Sequence, residues 1–397
     1  MNKMGKKIII GITEIANFIN DYAIALRTAG YEVGTIVCGS NKYYIGNQYS
    51  YKIQEDIPKW ISRIKYVRGA VKKIWYYIQS SAFFFSFLFR YHVFVYVWKT
   101  SYLPLHLDLF ILRLLGKKVV VLHCGSDVRF RPIQYQVGKQ LGQNDILHNI
   151  SLEKRKKYFD EGACFRDTFF YQKVSEWSGA IVLSQRNQAT FGRNYHFARF
   201  PICRLINAPR RTNDVVKIVH APTNSIFKRS DIVKGAIDIL NKRCPQLFEF
   251  ELIEGKSNSY VLEILQRTDI VIDQPSDWIG HLGGEALAAG CVVLGGNNIS
   301  YEDGAPMDSP VIQFIADAKS LANKLQYIIE HKEVRQSIME QSYYFWEKYY
   351  SFDAFNIWFD YLLKKQISLI SSNVDYKRLL LRAAENNMQK NVINVFY

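Results

Sequence analysis

The sequence predicts an α/β protein with two doubly wound parallel sheets, each at the centre of its own domain. Its 397 residues exceed what one hydrophobic core usually organises, which favours two domains. Short apolar runs of strand length alternate with amphipathic segments of helical length, and the alternation begins a second time after a basic link at 208–213. Such alternation favours parallel sheets with helices on both faces.

The first alternation fills the N-terminal half. It opens with the apolar run 7–12, and the helical segment that follows meets Gly30, a residue type that commonly ends helices. Residues 125–176 are polar and irregular, so we expect helices and loops there. We predict strands at 7–12, 32–38, 93–98, 117–123 and 178–184, and helices at 15–29 and 105–115.

The second alternation starts at residue 215, and we place the domain boundary between residues 212 and 213. Aromatic residues recur at helical spacing over 351–365, and 373–391 predicts one more amphipathic helix. We predict strands at 215–220, 248–253, 270–272 and 292–295, and helices at 231–241, 260–267, 285–289, 318–331 and 333–350.

The composition indicates an anionic partner. Lysine and arginine outnumber the acids by 51 to 36, which gives a net charge of +15. A membrane surface, a nucleic acid and a phosphorylated substrate all fit this charge. The six scattered cysteines form no Cys-x-x-Cys pair, so we expect neither a disulfide framework nor a zinc site.

No segment has the pattern of a signal peptide or a membrane span. The apolar run after the basic N-terminus is short and ends at Glu14. The most apolar stretch, 81–98, contains Arg90 and His92, and a charge at that depth is costly in lipid. We expect a cytoplasmic protein that can lie peripherally on the inner face of the cell membrane.

The most informative segment is 277–290, which carries two acids eight positions apart. Asp277 and Glu285 enclose Gly280, Gly283 and Gly284 between a predicted strand and a predicted helix. Ligands bind at this edge of an open α/β sheet. The amides at a helix start attract phosphate, and an acid in the first turn can accept hydrogen bonds from sugar hydroxyls. The segment therefore predicts a ligand with phosphate and polyol parts, such as a nucleotide sugar.

This segment resembles the Glu-x7-Glu motif of retaining GT-B glycosyltransferases of the family 4-like type. Their usual form is Glu-Gly-Phe-Gly-x4-Glu-Ala-x-Ala-x-Gly; here Asp277 replaces the first Glu, and Gly280 and Glu285 keep the second Gly and the second Glu. The resemblance implies that Glu285 holds the donor ribose and that Asp277 contacts the transferred sugar or its phosphate. The alternative is that Gly-Gly-Glu before an alanine-rich segment is an ordinary helix start.

The resemblance also implies the GT-B architecture, in which two Rossmann-like domains face each other across a cleft. It implies an acceptor-side domain at 1–212, a nucleotide-sugar donor domain at 213–350, and C-terminal helices at 351–397 that return to the first domain.

A second match follows the predicted strand 215–220. Retaining GT-B enzymes place an Arg and a Lys here against the donor diphosphate. Lys228 stands at the Lys position and Arg229 replaces the Gly that usually follows it, and we expect both to hold the phosphates. The usual upstream Arg is missing, and Asn224 lies in that region as a further donor-binding candidate. Fixed cations stabilise the charge that develops on a leaving diphosphate. The alternative is a solvated turn.

A third match lies at a strand end in the first domain. The run Leu122-His-Cys-Gly-Ser-Asp-Val-Arg resembles the His-x-Gly-Ser-Asp stretch of this family. The resemblance implies that His123 contacts the donor sugar and that Asp127 and Arg129 bind the acceptor or orient His123. The alternative is a structural histidine.

Four further positions are candidates by their place in the fold. Gly11 and Glu14 open the first strand–helix loop, which in this fold faces the donor phosphate and the acceptor. Glu254 and Gly255 follow the predicted strand 248–253, where this family contacts the nucleobase through backbone atoms. Such contacts leave little trace in a sequence, so the base cannot be read.

Residues 59–79 form a basic amphipathic pattern. Apolar residues, including Trp60, recur every three or four positions and lysines and arginines accompany them. One interpretation is a helix that rests on anionic lipid, with Trp60 and Trp75 exposed. The other is an ordinary helix with a solvated face.

The resemblance implies a retaining glycosyltransferase, expected to be a hexosyltransferase, that uses a UDP or GDP sugar and a glycan or lipid-linked acceptor. Synthesis of a bacterial surface polysaccharide such as lipopolysaccharide or capsule fits the charge and the aromatic content. We expect no metal, no other cofactor and no nucleic-acid partner. The alternatives are a sugar-nucleotide epimerase or a phosphorylase on the same fold, and a non-catalytic partner of a transferase.

Overall fold

The computed structural model describes residues 6–39, 43, 47–57, 68–125, 127–130, 132–133, 153, 165–185, 188, 191, 194–226, 228–274, 278–296, 306–367 and 369–370. The chain divides into two compact units. Unit 1 comprises Met1–Ile133, Tyr158–Ala198 and Asn356–Tyr397, and unit 2 comprises Gln134–Lys157 and Arg199–Phe355.

Each unit is built on one parallel sheet. The strands are β1 (Lys7–Ile12), β2 (Glu32–Cys38), β3 (Tyr51–Ile53), β4 (Val93–Val97), β5 (Lys118–Leu122), β6 (Ile181–Ser184), β7 (His196–Phe197), β8 (Val216–His220), β9 (Phe248–Leu252), β10 (Ile270–Gln274), β11 (Val292–Gly296) and β12 (Ile312–Phe314). The seven-stranded sheet of unit 1 has the order β3-β2-β1-β4-β5-β6-β7, and the five-stranded sheet of unit 2 has the order β12-β11-β10-β8-β9. All pairings of these strands are parallel.

Seven of the ten described helices lie between successive strands of the chain. The ten are α1 (Phe18–Thr28), α2 (Arg68–Arg90), α3 (Leu107–Leu114), α4 (Phe165–Trp177), α5 (Ser230–Arg243), α6 (Asn258–Leu265), α7 (His281–Ala288), α8 (Ala318–Glu330), α9 (Lys332–Tyr349) and α10 (Phe352–Leu363), with a 3₁₀ turn at Pro104–His106 before α3. None of the described helices combines the length and the apolar character needed to cross a bilayer.

The strand order of each sheet reverses at one point. In unit 1, β1 lies between β2 and β4; in unit 2, β8 lies between β9 and β10. Connections leave the sheet in opposite directions at such a reversal, and ligands bind outside the carboxyl ends of the two strands there. The fold therefore directs attention to the loops after β1 and β4 and to those after β8 and β10.

The predicted long strands and helices are confirmed within a few residues, with two kinds of error. The short edge strands β3, β7 and β12 were not predicted, because two or three residues are too few to show a strand pattern. Helix α7 begins at His281, four residues before the predicted start at 285. The predicted helix 373–391 and Trp60 lie outside the described residues. Trp75, predicted to be exposed toward lipid, is only partly exposed and its indole N–H is buried.

Side chains hold two of the four passages of the chain between the units, those after residues 198 and 355. Trp346 Nε1 donates to the carbonyl of Ile202 at 3.1 Å, which ties the segment after Ala198 to α9 in unit 2. In α10, Asn356 Nδ2 donates to the carbonyl of Ala25 at 2.8 Å, which ties this helix to α1 in unit 1. The predicted boundary after residue 212 stays a prediction.

Asp269 anchors the segment that leads into β8. The carboxylate is fully buried and accepts hydrogen bonds from Thr212 Oγ1 (3.0 Å), from the backbone and side chain of Asn213 (3.0 and 2.7 Å) and from the Lys217 amide (2.9 Å). Arg210 Nη1 lies 3.5 Å away and balances the charge. Asp269 therefore sets the start of β8 beside β10.

We expect Asp269→Asn to lower the free energy of unfolding by about 3 kcal/mol, because the amide cannot accept all four hydrogen bonds and Arg210 loses its counter-charge. Urea denaturation measures this change. The exposed Asp238→Asn on α5 is the matched control and should stay within about 0.5 kcal/mol of the wild type. Equal effects of the two substitutions would contradict the anchoring role.

Candidate functional site

The carboxyl end of β10 carries a buried acid that gathers the surrounding groups of unit 2. Asp273 is fully buried; its Oδ1 accepts from Lys228 Nζ at 2.6 Å, and its Oδ2 accepts from the backbone N–H of Gly280. Lys228 Nζ also donates to Gln274 Oε1 at 2.7 Å. One carboxylate thus joins the loop after β8 to the cap of helix α7, at the reversal of the strand order.

This arrangement neutralises Asp273 and fixes Lys228. A buried carboxylate needs a cation and hydrogen bonds, and here it has an ammonium and an amide at the positive end of a helix. An ammonium has three N–H donors, and Asp273 and Gln274 use two of them. The third has no partner among the residues the structure describes. Because 17% of the Lys228 side chain is exposed, this N–H can reach a ligand from solvent.

The glycines before Glu285 make room for this cluster and for close packing. A Cβ on Gly280 would lie 3.0 Å from Lys228 Nζ, and one on Gly283 would lie 2.8 Å from Asp273 Oδ2. On Gly284 it would lie 3.1 Å from the Ile202 side chain. Gly283 and Gly284 are buried within α7 and not in a loop, so the prediction of a glycine loop reaching to residue 284 is wrong. The helix starts earlier because Asp273 holds its cap residue.

Glu285 keeps one oxygen available for a ligand. Asn258 Nδ2 donates to Oε1 at 2.8 Å, and His281 Nδ1 lies 3.2 Å from the same atom. Oε2 has no hydrogen-bond partner among the described residues, although the residue is only 5% exposed. A carboxylate held through one oxygen presents the other as an acceptor for hydroxyl groups. Asp277, the other acid of the motif, lies outside the described residues.

The remaining candidates beside Lys228 contact protein groups. Arg229 is buried, has a left-handed φ of +48°, and makes two hydrogen bonds of 2.8 and 2.9 Å to Asp231 at the start of α5. Asn224 Oδ1 accepts from the Ile226 amide at 3.1 Å, which closes the turn before Lys228. The structure gives both residues a part in shaping the loop that carries Lys228.

His220 stabilises the same loop, although no role was predicted for it from the sequence. Nδ1 lies 2.7 Å from the carbonyl of Ile272, so it carries the proton, and Nε2 accepts from Ser230 Oγ at 2.9 Å. Burial lowers the pKa of His220 to about 4, which keeps the ring neutral and both bonds intact. Its place at a strand end before Ala-Pro-Thr was the signal available in the sequence.

Glu254 and Gly255 lie after β9 on the surface of unit 2. Both are exposed, and Gly255 has a φ of +70° with open space around it. The predicted contact with the nucleobase stays a prediction.

In unit 1, His123 follows β5 as a buried, neutral ring. Nδ1 lies 3.0 Å from Ser184 Oγ at the end of β6, and the Tyr171 ring centre is 5.7 Å away. Nε2 has no hydrogen-bond partner among the described residues. Burial lowers the pKa of His123 to about 3. A neutral imidazole with a spare nitrogen can donate to or accept from a sugar hydroxyl.

Asp127 and Arg129 shape the turn after His123. Asp127 is fully buried and accepts from the Cys124 amide through both oxygens, at 3.1 and 3.3 Å. Burial raises the pKa of Asp127 to about 6, and the nearby Arg129 charge opposes that shift. The Arg129 guanidinium lies against Gly125, whose φ is +123°. Their predicted contact with an acceptor stays a prediction.

Gly11 lies within β1 and not, as predicted, in the loop after it, whereas Glu14 lies in that loop. A Cβ on Gly11 would lie 2.8 Å from the backbone oxygen of Ile36, so close approach of β2 explains the glycine. Glu14 is 6% exposed and accepts from the amides of Ile19 and Asn20 at 3.1 and 3.2 Å, which caps α1. Burial raises the pKa of Glu14 to about 7.

The structure thus places Lys228, in the loop after β8, beside Gly280 at the cap of α7, the helix that carries Glu285. In unit 1 it places His123, Asp127 and Arg129 after β5. The sequence did not point to three residues of this cluster, Asp273, Gln274 and Asn258. Polar residues at the end of a strand or the start of a helix are common and have no distinctive spacing in a sequence. The described residues contain no group of three His, Cys, Asp or Glu side chains that could hold a metal ion.

Comparison with known proteins places the fold. No protein-family model and no curated protein sequence matches the chain. The structure is similar to WaaG, a glycosyltransferase involved in lipopolysaccharide biosynthesis (TM-score 0.54, 12% identity, 91% of this chain and 98% of WaaG). It is similar to a provisionally assigned UDP-N-acetylglucosamine 2-epimerase from Listeria monocytogenes (TM-score 0.54, 10% identity, 91% and 96%). Sucrose-phosphate synthase from Thermosynechococcus elongatus has a TM-score of 0.50 at 11% identity (91% and 99%).

The fold is of the GT-B type. The two parallel sheets and these likenesses confirm the predicted class, two Rossmann-like doubly wound α/β units. Sequence identities of 10–12% support an inference about the fold and not about the reaction, because glycosyltransferases and an epimerase share this fold.

We expect Lys228→Met to lower the free energy of unfolding by about 3 kcal/mol, because Asp273 would stay buried without its cation. The double variant Lys228→Met/Asp273→Asn should recover at least about 1 kcal/mol, since it removes both charges. A double-mutant cycle by urea denaturation measures the coupling. Lys234→Met, at an exposed lysine of α5, is the control. Additive single effects would contradict the ion pair.

Glu14 should make stability depend on pH. In the folded state its pKa is about 7, against an ordinary value of 4.5. Between these values the folded protein holds a proton that the unfolded chain has released, so stability falls as the pH rises from about 4.5 to about 7.

The Glu14→Gln variant should lose this part of the pH dependence. Denaturation curves at several pH values measure the difference between wild type and variant, which cancels the other groups that titrate. The exposed Glu263→Gln should follow the wild type. A constant difference between wild type and Glu14→Gln over this range would refute the assignment.

Proposed function

We propose that the protein is a retaining glycosyltransferase that moves a sugar, a hexose in the simplest case, from a nucleoside diphosphate donor to a glycan or lipid-linked acceptor. The observation that carries this proposal is the pairing of two available groups at the strand reversal of unit 2. Lys228 offers a fixed N–H beside the cap of α7, and Glu285 offers a free carboxylate oxygen one turn into the same helix. A cation for phosphate and an acceptor for hydroxyls match the two ends of a ribose diphosphate.

The proposed mechanism uses no nucleophile from the protein. As the glycosidic bond breaks, negative charge grows on the leaving diphosphate, and Lys228 stabilises it. A diphosphate oxygen on the same face takes the proton of the acceptor hydroxyl, which gives retention. Asp273 and Gln274 hold the ammonium in advance, so little reorganisation accompanies the charge development.

The remaining roles follow the family resemblance and are part of the proposal. Glu285 accepts from the ribose hydroxyls, and Asp277 contacts the donor sugar or its phosphate. The backbone near Gly280 lies at the start of α7, where the helix dipole favours a phosphate. His123 binds the donor sugar.

Arg229 and Asn224 support the diphosphate through the loop they shape, and Glu254 and Gly255 contact the base of a UDP or GDP sugar. Asp127 and Arg129 serve the acceptor. We propose that the reaction takes place on the cytoplasmic side of a bacterial membrane, in the synthesis of a surface polysaccharide such as lipopolysaccharide or capsule.

A sugar-nucleotide epimerase is the second candidate. The likeness to the provisionally assigned epimerase from Listeria monocytogenes has the same TM-score as the likeness to WaaG, 0.54. Both reactions require a bound nucleoside diphosphate sugar, so the Lys228 site suits either. An epimerase converts its donor without any acceptor, and this separates the two.

The test incubates the purified protein with UDP and GDP sugars, with and without a mixture of glycan and lipid-linked acceptors. We expect acceptor-dependent release of nucleoside diphosphate and an α- or β-linkage that keeps the donor configuration, both unaffected by EDTA. Glu285→Gln, which can still bond Asn258, should reduce the rate about 100-fold or more. Lys228→Met/Asp273→Asn should stay inactive even where stability is recovered, because the missing group is the cation.

Two exposed residues of unit 2 serve as matched controls. Lys234→Met and Glu263→Gln should keep the wild-type rate. Donor conversion without acceptor would favour the epimerase. Full transfer activity in both Glu285→Gln and the Lys228 double variant would remove the site from the proposal.

A further inference from the structure

Asn258, the first residue of α6, has an amide oxygen that no described protein group uses. Its Nδ2 donates to Glu285 Oε1 at 2.8 Å, which joins α6 to α7. A carboxylate oxygen can only accept, so this bond fixes which branch of the amide is the nitrogen. The other branch, Oδ1, is therefore an acceptor, and it has no hydrogen-bond partner among the described residues.

The same contact limits what Glu285 can bind alone. Oε1 accepts from Asn258, and His281 Nδ1 lies 3.2 Å from the same oxygen. That nitrogen carries a proton, because a bare ring nitrogen would repel the carboxylate. Each oxygen of a carboxylate has about two acceptor positions, so Oε1 is filled and Oε2 remains. A diol that donates one hydroxyl to each carboxylate oxygen would therefore need an oxygen that the protein already occupies.

Two available acceptors on different side chains thus lie side by side where α6 meets α7. In the part of the chain that the structure describes, neither Glu285 Oε2 nor Asn258 Oδ1 belongs to the buried polar atoms without a partner, so solvent reaches both. Ser257 fixes the position of Asn258, because its hydroxyl accepts from the Tyr260 amide at 3.3 Å and caps α6. Glu285 is fixed from the other side, one turn into α7, whose cap residue is bound to Asp273.

We propose that Asn258 and Glu285 together bind the ribose of the donor, with one hydroxyl of its 2′,3′-diol donating to Glu285 Oε2 and the other to Asn258 Oδ1. The inference rests on the proposed function, which calls for a nucleoside diphosphate here, and it adds a second residue to the ribose contact. A missing hydroxyl would leave one of the two acceptors without a partner. The pair therefore selects ribonucleotides over 2′-deoxy and 3′-deoxy nucleotides.

The chemistry of these two atoms favours a diol over the other parts of a nucleotide. Both atoms only accept hydrogen bonds, and a phosphate also accepts and would be repelled by the charge of Glu285. A diol offers two hydrogens on neighbouring carbons, which matches two neighbouring acceptors. The phosphate end is left to Lys228, which only donates. The transferred sugar can offer the same diol chemistry, so the test uses nucleotides without a sugar.

The experiment measures binding of UDP and GDP to the full chain by isothermal titration calorimetry, with neither donor sugar nor acceptor present. The nucleotide that binds is then compared with its 2′-deoxy and 3′-deoxy forms. We expect the wild type to bind each deoxy form at least about fivefold more weakly, since one acceptor loses its partner. Because these ligands carry no transferred sugar, this loss assigns the pair of acceptors to the ribose.

The Asn258→Ala variant separates the two hydroxyls. It should bind the ribonucleotide at least about fivefold more weakly and should lose the effect of one deoxy substitution, while the effect of the other stays. Glu285→Ala should show the reverse pattern. A residue that only positioned Glu285 would weaken both hydroxyl effects together, and that result would overturn the proposal.

Gln266→Ala is the matched control, because it removes an exposed amide at the other end of the same helix. It should bind the ribonucleotide and both deoxy forms as the wild type does. Circular dichroism and the thermal transition check that each variant folds.

The outcomes separate this inference from the proposed reaction. Equal binding of the ribonucleotide and its deoxy forms by the wild type would overturn the inference and leave the transfer reaction standing. The expected hydroxyl pattern in a protein without transfer activity would support the inference and contradict the reaction. Binding of neither UDP nor GDP would overturn both.

Discussion

The candidate donor site depends on the neutralisation of one buried charge. Asp273 has no exposed surface, so the folded state is stable only with a cation and hydrogen-bond donors around its carboxylate. Lys228 and the amide of Gly280 supply these, and in doing so they fix the loop after β8 and the start of α7 relative to β10. The same interaction that stabilises unit 2 therefore sets the position of its proposed phosphate-binding group.

Both strand reversals share this device. In unit 2, Asp273 accepts the amide at the start of α7; in unit 1, Glu14 accepts two amides at the start of α1. Helix starts attract anions, and here the protein places its own carboxylates against the first amides. A donor phosphate in unit 2 would then bind beside Asp273 through the third N–H of Lys228. Because the Lys228–Asp273 pair is neutral, its attraction for a distant diphosphate is weak, and contact geometry carries more of the binding than long-range charge does.

Sequence pattern and tertiary structure contributed differently to the candidate site and to helix α2. For the site, the sequence pointed to Lys228 and Glu285 through a family resemblance. Their partners Asp273 and Gln274 end β10 and Asn258 begins α6, and neither place has a distinctive spacing in the sequence. For α2, the amphipathic pattern was visible and its rotation was not. Apolar residues occur on several sides of this helix, and only its packing against the unit 1 core decides which side stays in solvent.

The sequence by itself determined the fold class. The alternation of apolar strands with amphipathic helices is a local pattern, so each long element can be recognised from its own residues to within a few positions. It also determined where the loops after the strands lie, but not the order of the strands, which decides at which of these loops the order reverses. The tertiary structure decided which groups meet there. It showed that Gly11 has no room for a side chain beside the backbone of Ile36, and that Gly283, within a helix, has none beside Asp273. It also showed that Glu285 keeps one oxygen free. These features depend on contacts between residues ten or more positions apart in the chain. Such contacts form only when the strands pair, so no local sequence pattern predicts them.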